Sequence, residues 1–254
     1  MKLRNFLLFR QVKSSQIGCM ISLSLLLGTI FQGMSEAVAQ FKPRTRKPPS
    51  PYSLGGGSRG CPGDNDKIPL TLFAPKSYIG ETASKSPTLA WYMPTARSVE
   101  FDLYEFLPDK RDKLKKLGKS QELNTVPGVN KIAIASLYPE LTVGKQYLWQ
   151  ISVLCGSGVA FERAEFQVVD MPSTIKGIMS SVTNSIQIVN SLAQQGLWYD
   201  AFSEAAKQLE SGKVGQLGSS LVKELVQSEE PDNVPKQRKY IEEQINNLQL
   251  IVQQ

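Results

Sequence analysis

A β-rich α+β protein is predicted by three features of this 254-residue chain. Apolar residues alternate with polar ones between Ile68 and Val168, and the period changes to a helical one after Pro172. Two cysteines, Cys61 and Cys155, bracket most of the alternating region. Alternation with one apolar face marks antiparallel sheets packed face to face, whereas spacing of three and four marks amphipathic helices.

The chain opens with Lys2, Arg4, Arg10 and Lys13, continues through an apolar stretch from Cys19 to Phe31, and reaches Ala37-Val38-Ala39. A basic start, a short apolar middle and an A-x-A exit describe a secretory signal over residues 1–39, with cleavage after Ala39. The apolar middle falls short of the roughly 20 residues of a membrane span. Export places the protein in the periplasm or outside the cell. An uncleaved signal would instead leave it tethered to the inner membrane, in the manner of a sensor accessory. Removing four basic residues and Glu36 leaves a net charge of +3. That balance carries no electrostatic argument for nucleic acid.

Residues 40–60 read as a linker. Pro43, Pro48, Pro49 and Pro51 favour extended backbone, Gly55-Gly56-Gly57 loosens it, and Lys42, Arg44, Arg46, Lys47 and Arg59 make it basic. With few apolar side chains to offset ordering, disorder is the expectation. The glycine run lacks the Lys-Ser/Thr pair of a phosphate loop and leads into Cys61-Pro62, so it reads as a hinge.

Residues 61–170 carry the strands. Ile68, Leu70 and Leu72 alternate, then Leu89, Trp91 and Met93, then Val99, Phe101 and Leu103. Ile132 and Ile134 follow, then Tyr147, Trp149, Ile151 and Val153, and finally Ala164, Phe166 and Val168. About six or seven strands in roughly 100 residues suit an immunoglobulin-like or fibronectin III-like sandwich. Leu141-Thr-Val-Gly144-Lys-Gln-Tyr147 resembles the tyrosine corner of such domains, in which the hydroxyl bonds to backbone just upstream. The Lys-rich stretch from Asp109 to Glu122 reads as an edge strand or long hairpin whose charges block sheet-to-sheet aggregation.

With Cys19 removed, Cys61 and Cys155 are most simply a disulfide, as an oxidising compartment favours. It would close a loop of about 95 residues, on the order of 4–5 kcal/mol in the chain-entropy model.

Residues 172–254 read as a helical hairpin or small bundle. Ile175, Ile178, Met179, Val182, Ile186, Val189 and Ala193 form one stripe ended by Gly196. Trp198, Ala201, Phe202, Ala205 and Leu209 mark a second helix, Val214, Leu217, Leu221 and Leu225 a third, and Ile241, Ile245, Leu248 and Val252 a fourth. Gly196-Leu-Trp198-Tyr-Asp-Ala201 resembles half a tetratricopeptide repeat, too little for a solenoid. A plain hairpin packed beside the sandwich is expected.

Histidine is absent, which excludes Ser-His-Asp and Cys-His catalysis and the commonest zinc ligand. No cofactor is implied. Glu100 and Asp102, two apart on one strand's polar face, with Glu162 and Glu165 beyond, are the carboxylates available for glycoside hydrolysis. Asp64-Asn65-Asp66 lacks full calcium-loop spacing and reads as an Asx turn. Among the aromatics Trp91, Tyr92, Trp149, Trp198 and Tyr199, most are expected in the core, with Tyr92 and Tyr199 as candidate exposed contacts.

Several motifs together resemble a family found mainly in cyanobacteria, domain of unknown function 928. They are Gly55-Gly-Gly-Ser-Arg59-Gly-Cys61, Leu70-Thr-Leu-Phe-Ala-Pro75, Pro87-Thr-Leu-Ala-Trp91-Tyr-Met-Pro94 and Val99-Glu-Phe101. Leu141 to Trp149, Ser152-Val-Leu-Cys155 and Leu197-Trp-Tyr-Asp-Ala201 complete the set, so that the resemblance runs from about Gly55 to about Leu225. It implies export and an aromatic-rich β core followed by helices, and no reaction, cofactor or catalytic residue. The chain departs from it in lacking the arginine-proline-glycine lead-in and in a Gln-rich last helix.

The functional expectation is a non-enzymatic periplasmic or envelope module that binds an envelope protein or polymer, with Tyr92, Glu100, Asp102 and Tyr199 as candidate ligand contacts. The rival is a carboxylate-based hydrolase of envelope polysaccharide. Mass spectrometry of protein recovered from cells is expected to find Gln40 at the amino terminus; Met1 there would mean the signal is retained.

Overall fold

The computed structural model describes residues 40–53, 61, 67–108, 110–156, 158–208, 212–231 and 233–254. The signal segment, the glycine triplet and Asp64-Asn65-Asp66 lie outside them. Among the described residues, nine strands precede five α-helices: β1 (Thr71–Leu72), β2 (Gly80–Thr82), β3 (Thr88–Met93), β4 (Ser98–Leu107), β5 (Lys110–Lys116), β6 (Gln121–Asn124), β7 (Gly128–Ala133), β8 (Gln146–Cys155) and β9 (Gly158–Val168). The helices are α1 (Ser173–Ser181), α2 (Ser185–Gln194), α3 (Trp198–Ala205), α4 (Gly215–Ser228) and α5 (Pro235–Ile251).

Two sheets form. One has the order β1-β3-β7; the other has the order β2-β9-β8-β4-β5, with β6 pairing the first half of β4. The long β8–β9 and β4–β8 ladders put Trp149 beside Leu103 and Ala164, and Ile151 beside Phe101 and Glu162. Phe101, Leu103, Trp149, Ile151, Ala164 and Phe166 are all fully buried, as their alternation requires. Ile68, Leu70 and Leu72 are buried as well, but only Thr71 and Leu72 join a ladder, since Pro69 brings no N–H.

One pairing departs from the antiparallel expectation. β2 runs parallel to β9, with Gly80 opposite Phe166 and Thr82 opposite Val168. Parallel neighbours need a long connection, and most of the β region separates these two strands. The Lys-rich stretch does become an edge: β5 pairs only with β4 on this side, and Lys113, Lys115 and Lys119 are exposed.

Tyr147 makes the corner its sequence neighbours imply. Its hydroxyl accepts a hydrogen bond from the Thr142 backbone N–H at 2.9 Å, across a turn in which Gly144 has a φ of 86°. Cys61 and Cys155 are joined, with Cα atoms 5.2 Å apart. The bond ties the end of β8 to the segment leading into β1.

The first predicted helix is two helices. Val182 is extended, and the Asn184 side chain accepts from the N–H groups of Ile186 and Gln187 at 2.9 and 3.2 Å. This N-cap restarts the helix although the apolar stripe runs on without a break.

Helices and sheets share one hydrophobic core, with α3 at its centre. Trp198 donates to the Phe73 carbonyl at 2.9 Å, while the Tyr199 hydroxyl accepts from Trp149 Nε1 at 3.4 Å and its ring lies 5.3 Å from that of Phe166. Asp200 accepts from the N–H groups of Ala83 and Ser84 at 2.8 and 3.1 Å. Gly80 admits this approach, since a Cβ there would fall 2.7 Å from the Tyr199 ring.

Residues 40–53 are not the disordered linker that composition implies. Phe41 is buried edge-on to Trp198, with centroids 5.3 Å apart. The Lys42 N–H donates to the Ala193 carbonyl at 3.2 Å, Lys47 O accepts from Ile79 N at 2.9 Å, and Ser50 N donates to Glu165 at 2.8 Å. The basic residues are used internally: Arg44 pairs with Glu81 at 3.5 Å and Arg46 with Glu230 at 3.0 Å. One buried aromatic and a row of backbone hydrogen bonds offset the ordering that composition alone does not.

Tyr147→Phe is expected to destabilise the protein by about 1 kcal/mol in urea unfolding, the value of one turn hydrogen bond. Asp200 is half-buried as a residue, but its carboxyl is enclosed, and burial raises its pKa from 3.8 to about 6 against the lowering effect of the Ala83, Thr82 and Ser84 donors. Glu229, also buried, is shifted upward for the same first reason. An acid whose folded pKa is raised holds its proton more tightly when folded. Its contribution is complete below the unfolded value and is lost as pH rises through the folded one. The unfolding free energy from urea titrations should therefore fall between about pH 4 and pH 7, by up to about 3 kcal/mol from Asp200, and Asp200→Asn should flatten that slope.

Candidate functional site

The residues singled out by sequence are not brought together. Glu100 is exposed on β4, facing Ser152 on one neighbour and Glu122 on the other. Asp102, on the same face, is 5% exposed: Lys116 Nζ lies 2.7 Å from its carboxylate and the Tyr104 hydroxyl donates to it at 3.3 Å. Tyr199 is 1% exposed and belongs to the core, so it offers no outside contact, and burial pushes its hydroxyl pKa well above the usual value. Tyr92 lies in the other sheet, on β3.

The further acids are also committed. Glu165 accepts from Ser50 N, from Ser53 Oγ at 2.6 Å and from Gln146 Nε2 at 2.5 Å. Glu162 receives Lys76 Nζ at 2.9 Å and the Tyr240 hydroxyl at 2.7 Å, and Lys76 is itself fully buried. Each of these carboxylates holds one element of the fold against another. Among the described residues, no group of three or more His, Cys, Asp or Glu side chains is placed to hold a metal ion.

Tyr92 does reach a pocket, one of about 600 Å³. It opens where β3 and β7 meet the start of α4 and the end of α5. Among the described residues, Tyr92, Val129, Gly212 to Gln216, Ser219, Ile251, Val252 and Gln254 line it, none of them an Asp or Glu. Tyr92 is 8% exposed.

Local sequence explains the opening. Gly212 and Gly215 take φ values of 80° and 66°, so the chain turns sharply into α4. The Gly212 carbonyl accepts from Val129 N at 3.0 Å, and this contact demands glycine opposite, since a Cβ on Gly128 would sit 2.0 Å from that oxygen. α4 then begins at Gly215 with no side-chain cap and no acidic residue in its first turn. Its first N–H groups therefore lack intrahelical acceptors beside the pocket. Reading Val214 to Leu225 as a helical stripe passes over this feature. Its signal is Gly212, Gly215 and Gly218 in seven residues around Lys213.

A smaller pocket, of about 220 Å³, lies between residues 46–49 and the α4–α5 connection, lined by Arg46, Tyr78 and Glu230 among others. Among the described residues, no helix is long and apolar enough to cross a membrane.

The sequence model of a family described as Domain of Unknown Function (DUF928) matches residues 54–238. No curated protein matches the chain. Among solved structures, the third fibronectin III domain of human KIAA0343 protein is similar over 46% of this chain and 97% of that one, at 14% identity and a TM-score of 0.25. A likeness at that level carries no argument.

Proposed function

This chain belongs to the DUF928 family, and from that premise we propose that it is an exported, non-enzymatic binding module of the periplasm or cell envelope. On this reading residues 1–39 are a cleaved signal, and the β region is a fibronectin III-like sandwich held by the Cys61–Cys155 bond. The binding element is the pocket between β3, β7, α4 and α5.

One observation carries the reading. The pocket of about 600 Å³ is lined by a tyrosine and aliphatic side chains with no Asp or Glu among its described lining residues, while Asp102, Glu162 and Glu165 are bound up in structural hydrogen bonds. A glycosidase needs two carboxyl groups roughly 5–10 Å apart across a cleft. Glu100 alone is exposed, on a sheet face outside either described pocket. The disulfide fits an oxidising compartment and supports the export reading.

Sedimentation of the mature chain with isolated envelope polysaccharide and with envelope lipid, alongside an assay for released fragments, tests the proposal. Retention without fragment release, unchanged by Glu100→Gln, is expected. Release of fragments that Glu100→Gln abolishes would replace the binding module with the hydrolase.

A further inference from the structure

On the reading of residues 1–39 as a cleaved signal rests one further assignment, about what cleavage leaves behind. We propose that removal of the signal completes the fold: the new α-ammonium group of Gln40 pairs with Glu224 of α4 and pins the arm formed by residues 40–53 to the helices.

The arm has a seat made for its backbone. Phe41 is buried against Trp198, and the Lys42 N–H donates to the Ala193 carbonyl at 3.2 Å. Gly196, with a φ of 71°, lets the chain come this near, since a Cβ there would fall 2.7 Å from Arg44 N and 2.8 Å from Lys42 O. Farther along, the cations of the arm meet carboxylates of the body, Arg44 at Glu81 and Arg46 at Glu230. Arg46 also donates to the Ser228 carbonyl at 2.9 Å, one helical turn beyond Glu224.

Glu224 is the acid that meets the start of the arm. It is half-buried, and its Oε2 accepts from the Phe41 N–H at 3.3 Å. Among the described residues, no Lys or Arg side chain pairs with it. The Gln40 nitrogen precedes that of Phe41 by one residue and therefore lies within about 4 Å of it. In a chain that continues back through Ala39 this nitrogen is a neutral amide with one donor. In a chain that starts at Gln40 it is an ammonium with three donors, protonated at neutral pH. Cleavage thus creates a cation beside a carboxylate that no side-chain cation neutralises. The arm is then held most tightly only after export.

Residue-resolved amide hydrogen exchange at neutral pH on two chains, each with its disulfide formed, tests the pairing. One chain begins at Gln40. The other begins at Ala37, which moves the ammonium by up to about 10 Å along the chain. The Lys42 N–H, bonded to Ala193, and the Ile79 N–H, bonded to Lys47, report local opening of the arm. Lys42 should exchange about two- to fivefold more slowly in the shorter chain, the range for a partly exposed ion pair. Glu224→Gln keeps an acceptor for the Phe41 N–H but removes the charge. It should abolish that difference while tryptophan fluorescence stays native.

Equal exchange in the two unsubstituted chains would overturn the pairing and leave the export reading intact. So would a Glu224→Gln effect of the same size in both chains, which would assign the carboxylate to a side-chain cation. Protein recovered from cells with Gln40 first but 17 Da light, its amine closed onto its own side-chain carbonyl carbon with loss of ammonia, would also overturn the pairing. Met1 at the terminus would instead overturn the export reading, and this assignment with it, whatever the exchange rates.

Discussion

Three consecutive residues of α3 hold the molecule together. Trp198 is anchored to the Phe73 carbonyl beside the smaller sheet, Tyr199 packs on Phe166 and Trp149 of the larger one, and Asp200 gathers two N–H groups from the turn after β2. A short helix thereby fastens both sheets, and its own stability comes from this packing more than from its eight residues. Phe41 closes over Trp198, which seats residues 40–53 along the surface. The chain leaving α3 passes through a 3₁₀ turn at 206–208 and reaches Gly212 against Val129, which sets where α4 starts and where the pocket opens.

Buried charge serves the same joints. Lys76 reaches Glu162 and Tyr240, linking the stretch after β1 to β9 and α5. Glu229, after α4, accepts from the N–H groups of Lys76 and Ser77 at 2.7 and 2.8 Å. Such pairs add little net stability over well-packed apolar residues, yet removing one partner strands the other in a dry interior. Their effect is to fix which helix meets which strand.

Much of the β region was legible because its signals are local. Alternation placed Phe101, Trp149 and Phe166 inside, the leucine-glycine-tyrosine pattern placed the Tyr147 corner, and reading Cys19 as part of a signal left Cys61 and Cys155 to pair. What escaped depends on contacts between distant residues. The helix break at Asn184 lies inside an unbroken apolar stripe, and only the cap geometry reveals it. Residues 40–53 look like a linker because one aromatic and backbone hydrogen bonds hold them in place, and neither leaves a pattern. The pocket draws on Tyr92, Val129, the turn before α4 and the end of α5, which no window of sequence contains together.

If α3 joins sheets and helices into one cooperative unit, helix content and the environment of the buried tryptophans must be lost together. Urea unfolding followed simultaneously by far-ultraviolet circular dichroism and tryptophan fluorescence tests this directly. A single coincident transition is predicted. Loss of helical signal at lower urea, with tryptophan fluorescence still native, would show the helices to be a separate layer and would contradict the account.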